Sequence, residues 1–277
     1  MFCLTPRQRP LRSLWAVFFV VLAQFSHADT VCTLVYALET NTFLLQEGDC
    51  EQALSPASTF KIPLSLMAYD SGYLTDLDLP TLPYRSSYAA TIPSHQQSTA
   101  PRNWMKNSVV WYSQAFTEWL GDQRFKDYVA AFAYGNQDLS GEPGANNGLT
   151  RAWLSSSLKI TPLQQVQFLQ KMLERQLPVK DAAYDYTQQL LKQEAPLLNF
   201  SVYGKTGSVT APVDAQGVKL AGRQLGWFVG WLQQDEQRII FVHVINEPKQ
   251  EGVYSGPKAK EAILGKLATL LRTQESQ

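Results

Sequence analysis

The chain has 277 residues, room for one large domain or two smaller ones, and 45% of them are hydrophobic, which supplies a core and excludes a disordered chain. Lysine plus arginine number 24 and so do aspartate plus glutamate, so no global field draws the chain to nucleic acid or anionic lipid.

The first 28 residues differ from the rest. Arg7, Arg9 and Arg12 precede the apolar run LWAVFFVVLA, and FSHA then offers small residues at Ser26 and Ala28. A basic segment, a short apolar core and a small-residue cleavage site make a secretory signal peptide. Leu14 to Ala23 falls well short of the ~20 residues that span a bilayer. The expected product is therefore one exported domain over residues 29–277, periplasmic and without a membrane anchor. Without the three leader arginines it is mildly acidic.

Past the leader only Cys32 and Cys50 remain, and TLVYALETNTFLLQEGD between them reads as two strands turning near Glu39-Thr40-Asn41. An even pair in an oxidising compartment predicts a disulfide closing that hairpin. LSPASTFKIPLSLMAYDSG follows as a helix from Ser58 to about Asp70-Ser71-Gly72, with Pro63 expected to kink it. Residues 73–103 read as an irregular surface excursion. SVVWYSQAFTEWLG and RFKDYVAAFAYG read as amphipathic helices. TPLQQVQFLQKMLERQ adds another, with Thr161 as N-cap, Pro162 at the first helical position and Gln165 completing the capping pattern.

After residue 200 the period changes. SVYGKTGSV, QLGWFVGWLQ and RIIFVHVINE are rich in β-branched and aromatic residues, as strands are. GPKAKEAILGKLATLLR closes the chain as a helix. Strands at both ends with helices between predict an α/β chain of the α+β type. One antiparallel sheet would be built from both chain ends with flanking helices, and a helical part, roughly 73–197, inserted in it. A cleft between the two parts is the natural place for a site.

Ser58 and Lys61 stand three apart at the head of the first helix, so hydroxyl and amine share a face. A serine hydroxyl is a poor nucleophile until a base takes its proton, and a neutral lysine amine is such a base. Against this stands the plainer reading of a solvated lysine with Ser58 as N-cap. Lys205-Thr206-Gly207 adds a cation, a hydroxyl and room for a ligand against the backbone. His27, His95 and His243 show no metal-ligand spacing, and no Gly-rich phosphate loop appears. Metal and nucleotide chemistry are therefore not expected.

Ser-x-x-Lys at 58–61, Ser108-Val109-Val110 and Lys-Thr-Gly at 205–207 fall in the order of the penicillin-recognising serine enzymes. The middle element is not Ser-Asp-Asn but Ser-x-Val, followed by Tyr134-Gly135-Asn136 and by Trp153 in RAWLSSSLKI. That combination resembles the class D, or OXA-type, serine β-lactamases over nearly the whole exported part. The resemblance implies the serine β-lactamase and penicillin-binding-protein transpeptidase-like fold. Ser58 would be the nucleophile that opens a β-lactam ring, and Lys61 the base, carrying a carbamate formed with carbon dioxide. Holding that amine neutral near pH 7 costs about 4 kcal/mol, which burial among Phe60, Val110 and Trp153 would have to impose. The Trp153 indole N–H would hydrogen-bond the carbamate, and no other cofactor is implied. Ser108 would pass protons to the leaving nitrogen. Lys205 and Thr206 would bind the substrate carboxylate, and the N–H groups of Ser58 and of Ser208, which follows Gly207, would form the oxyanion hole. Tyr134-Gly135-Asn136 would shape the site.

Many class D enzymes carry a carboxylate-gripping arginine at the start of the last helix, whereas this chain reads VYSGPKAKEAIL there. Lys258 or Lys260 is the candidate replacement, a point charge without the guanidinium fork. A β-lactam sensor domain or a cell-wall transpeptidase shares these motifs but keeps its acyl group. The lifetime of the acyl-enzyme separates those readings.

Overall fold

The structure, a computed structural model, describes residues 28–210 and 221–275 together with Met1 and Pro212. The expected leader and His27 lie outside the described residues, apart from Met1 and Ala28. No helix among the described residues is long and apolar enough to cross a membrane.

Among the described residues five strands form one sheet: β1 (Asp29–Ala37), β2 (Thr42–Gly48), β3 (Ser201–Val209), β4 (Arg223–Gln234) and β5 (Gln237–Pro248). Their order is β2-β1-β5-β4-β3 and every neighbouring pair is antiparallel. Both chain ends thus meet at the β1–β5 pair, as the strand pattern predicted. Asn41 and Asp235, at φ 53° and 48°, turn the two hairpins, conformations that asparagine and aspartate tolerate best after glycine. The expected disulfide ties Cys32 to Cys50, with an Sγ–Sγ distance of 2.10 Å. A buried disulfide belongs to chains that mature outside the reducing cytosol.

Side chains alternate across the sheet and make two cores. Val35, Phe228, Leu232, Phe241 and Ile245 face α8 (Ser255–Glu275), whose Ala259, Ile263, Leu267 and Leu271 recur every fourth residue along one stripe. Leu34, Tyr36, Val229, Trp231, Val242 and Val244 face the other way, into a larger core shared with the helices between β2 and β3.

At the centre of that core lies α1 (Lys61–Asp70), with Lys61 to Tyr69 all buried, so it reads as apolar on every side. Two local expectations change. The helix runs unbroken through Pro63, because the third helical position has no intrahelical acceptor for its N–H to lose. Ser58 is not its cap; it lies one step earlier, in a 3-10 turn over Ala57–Phe60.

The remaining helices are α2 (Pro101–Asn107), α3 (Val110–Leu120), α4 (Asp122–Ala131), α5 (Gly148–Arg151), α6 (Pro162–Leu173) and α7 (Asp181–Leu191). The capping box of α6 pairs Thr161 with Gln164, not Gln165: Thr161 Oγ1 accepts from Gln164 N at 3.1 Å, and Gln164 Oε1 accepts from Thr161 N at 3.0 Å. Gln164 is the third helical residue, which is where the reciprocal bond reaches. Helix α7 was not expected, since its buried stripe of Ala183, Tyr184, Thr187 and Leu191 is only weakly apolar.

Candidate active site

The turn ahead of α1 is built around Pro56. Its carbonyl accepts from Thr59 N at 3.1 Å and from Thr59 Oγ1 at 2.7 Å, which closes a tight loop around Ser58. Ser58 is half-buried between the buried Ala57 and Thr59. Lys61 follows one turn on and is fully buried, and its Nζ donates to Ser58 Oγ at 3.5 Å. The shared face expected from the spacing is realised. Burial, and then the charge of Lys205, hold the Lys61 amine well below the ordinary lysine range.

The second serine arrives from a different direction. Ser108 ends α2 in the left-handed region at φ 58°, and its Oγ accepts from Lys205 Nζ at 2.5 Å. Lys205 comes from β3, the outer strand of the sheet, and also donates to Thr206 O at 3.1 Å and Thr206 Oγ1 at 3.2 Å. Burial, and then the charge of Lys260, bring the Lys205 amine down to about 7. Ser58 with Lys61 and Ser108 with Lys205 thus form two hydrogen-bonded pairs, and the Lys205 charge acts on Lys61 across them.

Gly207 explains how β3 comes so close to the serine turn. A Cβ built there would lie 2.9 Å from Pro56 O and 3.0 Å from Thr59 Cγ2. The same economy recurs one layer out: Ser208 Oγ accepts from Gly256 N at 3.0 Å, and a Cβ on Gly256 would lie 2.9 Å from Gly207 O. The start of α8 is therefore seated on the Lys-Thr-Gly edge.

Phe60, next to Lys61 in the chain, sits in an aromatic cluster. Trp153, fully buried, stacks on Phe60 with ring centres 5.6 Å apart, and Phe125 meets Phe60 edge-on at 6.0 Å. The Trp153 Nε1–H is buried and has no hydrogen-bond partner among the described residues. An unpaired buried donor costs roughly 1–3 kcal/mol, so its retention points to an acceptor that the protein chain itself does not supply. Val110 opens α3 and is only half-buried; its neighbour Val109 is the fully buried one.

The two candidate replacements for the missing arginine are otherwise engaged. Lys258 Nζ pairs with Glu247 Oε2 at 2.7 Å, and Gln224 Nε2 donates to the other oxygen at 3.1 Å. Lys260 Nζ donates to Gln193 Oε1 at 2.5 Å and lies 5.6 Å from the centre of the Phe228 ring. Among the described residues no group of three metal-ligating side chains occurs.

Residues 26–267 match the penicillin binding protein transpeptidase domain family. Over 244 residues the chain is 38% identical to "Beta-lactamase OXA-9" of Klebsiella pneumoniae, covering 87% of this chain and 88% of that one. It is 36% identical to "Beta-lactamase OXA-1" of Escherichia coli over 243 residues, covering 86% and 84%. The crystal structure of OXA-427, a class D β-lactamase, superposes with a TM-score of 0.81 at 42% identity, covering 87% and 98%. The chain belongs to the class D β-lactamase family.

Some residues around this class D site carried no signal for that place in the sequence, where Gln165 reads as part of a helix cap and His95 only as a metal-ligand candidate. Gln165, 1% exposed, donates to Thr59 Oγ1 at 3.2 Å and to Tyr134 OH at 3.1 Å. His95 Nε2 lies 2.7 Å from the carbonyl of Asn107, next to Ser108. Single polar residues on long helices or loops look like any others until the fold brings them inward. Asn136 ties the Tyr134-Gly135-Asn136 turn to the following chain, donating from Nδ2 to Ser157 O at 2.9 Å and accepting from Lys159 N at 3.0 Å.

Proposed function

We propose that the chain hydrolyses the β-lactam ring of penicillin-type antibiotics through an acyl-enzyme on Ser58, and so confers resistance to them. The observation that carries this reading is the Ser58–Lys61 contact at 3.5 Å with a fully buried lysine held toward its neutral form. A buried ammonium with no counter-ion is costly, so the site favours the protonation state that a base requires.

The donor set fits a carbamate on Lys61. A neutral Lys61 amine would add to carbon dioxide with loss of a proton, and the unpartnered Trp153 Nε1–H would be the donor available to the resulting anion. Bound there, a carbamate supplies a carboxylate-like general base beside Ser58. The chain's own residues do the rest. Ser58 Oγ forms the ester bond to the lactam carbonyl carbon as the C–N bond breaks. The Lys61 base takes the Ser58 proton, Ser108 Oγ, held by Lys205, hands its own proton to the departing nitrogen, and Ser108 regains one from the Lys61 base, so that one proton passes from Ser58 to nitrogen overall. The N–H groups of Ser58 and Ser208 stabilise the oxyanion, and protonated Lys205 with Thr206 receives the substrate carboxylate. Water then cleaves the ester, so the net change is addition of one water across the amide. Residues 1–28 direct the chain to the periplasm, where the mature protein begins at Asp29.

Intact-protein mass spectrometry tests this. Protein recovered from the periplasm, beginning at Asp29, gains the mass of a penicillin and sheds it during turnover, while Ser58→Ala folds and gains nothing. An adduct on Ser58→Ala places the nucleophile elsewhere. An adduct on the wild type that outlasts many substrate equivalents instead supports a sensor or transpeptidase.

A further inference from the structure

The turn that carries Ser58 is held from outside by one buried amide. Gln165 follows directly on the capping box of α6, so its backbone is fixed by the Thr161–Gln164 bonds. Just before that box, Ile160 and Leu54 exchange backbone hydrogen bonds at 2.8 and 3.0 Å, which ties the start of α6 to the segment leading into the serine turn. From this anchored position the Gln165 Nε2 protons divide between two hydroxyls. One goes to Thr59 Oγ1, the other to Tyr134 OH. Thr59 Oγ1 donates onward to Pro56 O, so the amide, the hydroxyl and the carbonyl form a directed chain ending at the carbonyl that closes the turn. Tyr134 packs edge-on against Phe60 at 5.1 Å, and Phe60 is the stacking partner of Trp153.

We infer that Gln165 is a positioning residue for acylation: its amide sets the Thr59 hydroxyl that closes the turn and so fixes where Ser58 Oγ stands relative to Lys61 and β3. The claim rests on the reading of Ser58 as nucleophile. Each bond in the chain is buried, where a missing partner is costly and neighbouring bonds polarise one another. Without the amide, Thr59 Oγ1 is free to leave Pro56 O. β3 runs close beside Thr59, since a Cβ added at Gly207 would lie 3.3 Å from Thr59 N, so movement of Thr59 shifts the serine turn relative to the Lys-Thr-Gly edge. A displacement on that scale at a nucleophile costs on the order of 100-fold in rate.

Stopped-flow acylation by a chromogenic β-lactam separates this from a role in packing alone. Gln165→Met keeps the length and apolar volume but removes both donors, and Thr59→Val keeps the branched shape but removes the hydroxyl. Each is expected to lower the acylation rate constant about 10- to 100-fold while leaving the non-covalent dissociation constant unchanged. Thr59→Ser should restore most of the rate, and the Gln165→Met/Thr59→Val double variant should be no slower than the slower single one. Wild-type acylation rates in both single variants, with only a lowered Tm, overturn the inference; so do losses that multiply in the double variant. Should Gln165→Met fail to fold, Gln165→Leu, which also lacks both donors, takes its place beside the Thr59 variants. If the wild type itself forms no adduct on Ser58, the reading of the site falls and this inference with it. If the wild type acylates and the variants match it, only the inference falls.

Discussion

At the scale of single residues, two lysines in one site have been driven toward neutrality for opposite uses. Lys61 lacks a carboxylate partner among its described contacts, and its described hydrogen bond goes to Ser58 Oγ. If the unpaired Trp153 N–H serves an anion on that lysine, then Trp153→Phe should keep the stack on Phe60 while losing a charge-assisted bond worth roughly 1.5–3 kcal/mol. The bicarbonate concentration giving half-maximal activity should then rise about 10- to 100-fold, and bicarbonate should restore turnover. A bicarbonate dependence identical to that of the wild type removes the indole from the argument. On the proposed mechanism Lys205 must do the reverse and stay charged to receive a carboxylate. With its amine near 7, it is protonated below that pH and neutral above, so kcat/KM should fall as pH rises past about 7. The Lys260 charge helps to push that value down, so Lys260→Gln should move the alkaline limb to higher pH. Initial rates of both proteins across the neutral and alkaline range check this; an unmoved limb means that Lys260 does not act on Lys205.

At the scale of elements, the site exists because an outer strand, a 3-10 turn and the end of a short helix are packed closer than side chains usually allow. Gly207 is the clearest case. In Gly207→Ala the new methyl meets Pro56 O and Thr59 and must push β3 away from the serine turn. The expected result is a loss of about 100-fold in kcat/KM with a smaller fall in stability, roughly 1–3 kcal/mol, read by kinetics and by urea unfolding on the same protein. Retention of full activity would show that strand and turn separate without harm. The strands were legible in the sequence because β-branched and aromatic runs broken by turn residues have few other uses, and α8 because its stripe repeats every fourth residue. Ser58, Lys61, Ser108 and Lys205 were legible as motifs, and the structure brings them together. Gln165, His95 and Glu247 were not legible, since a lone amide, imidazole or carboxylate acquires its partner only through contacts far away in the chain. The start of α1 was misread for a local reason: the chain enters it through a 3-10 turn whose residues, Ser58 apart, are as buried as those of the helix.

At the scale of the whole molecule, the sheet separates two cores, and the one beneath α8 holds a titratable group remote from the chemistry. His243 on β5 faces α8, is 1% exposed and shares a 3.0 Å hydrogen bond between its Nδ1 and Thr33 Oγ1; its Nε2 is buried with no partner among the described residues. Burial, and then the charge of Lys266, lower this imidazole from 6.5 to about 4, against an opposing pull from Glu47, which pairs with Lys266 at 2.7 Å. The folded protein therefore keeps His243 neutral where the unfolded chain already binds a proton. Stability falls as pH drops from about 6.5 toward 4, by up to roughly 3 kcal/mol from this one group, and no further contribution comes below the folded value. His243→Gln removes the titration while keeping a polar group opposite Thr33. Its unfolding free energy, measured in urea through the same acid range, should fall less steeply than that of the wild type, with the two curves parallel above neutrality. Curves parallel throughout would mean that His243 takes up no proton on unfolding. Because the group lies on the α8 face of the sheet, away from Ser58, initial rates at neutral pH should be unchanged in the variant. Acid sensitivity of the fold and the pH profile of catalysis thus belong to different residues and can be altered independently.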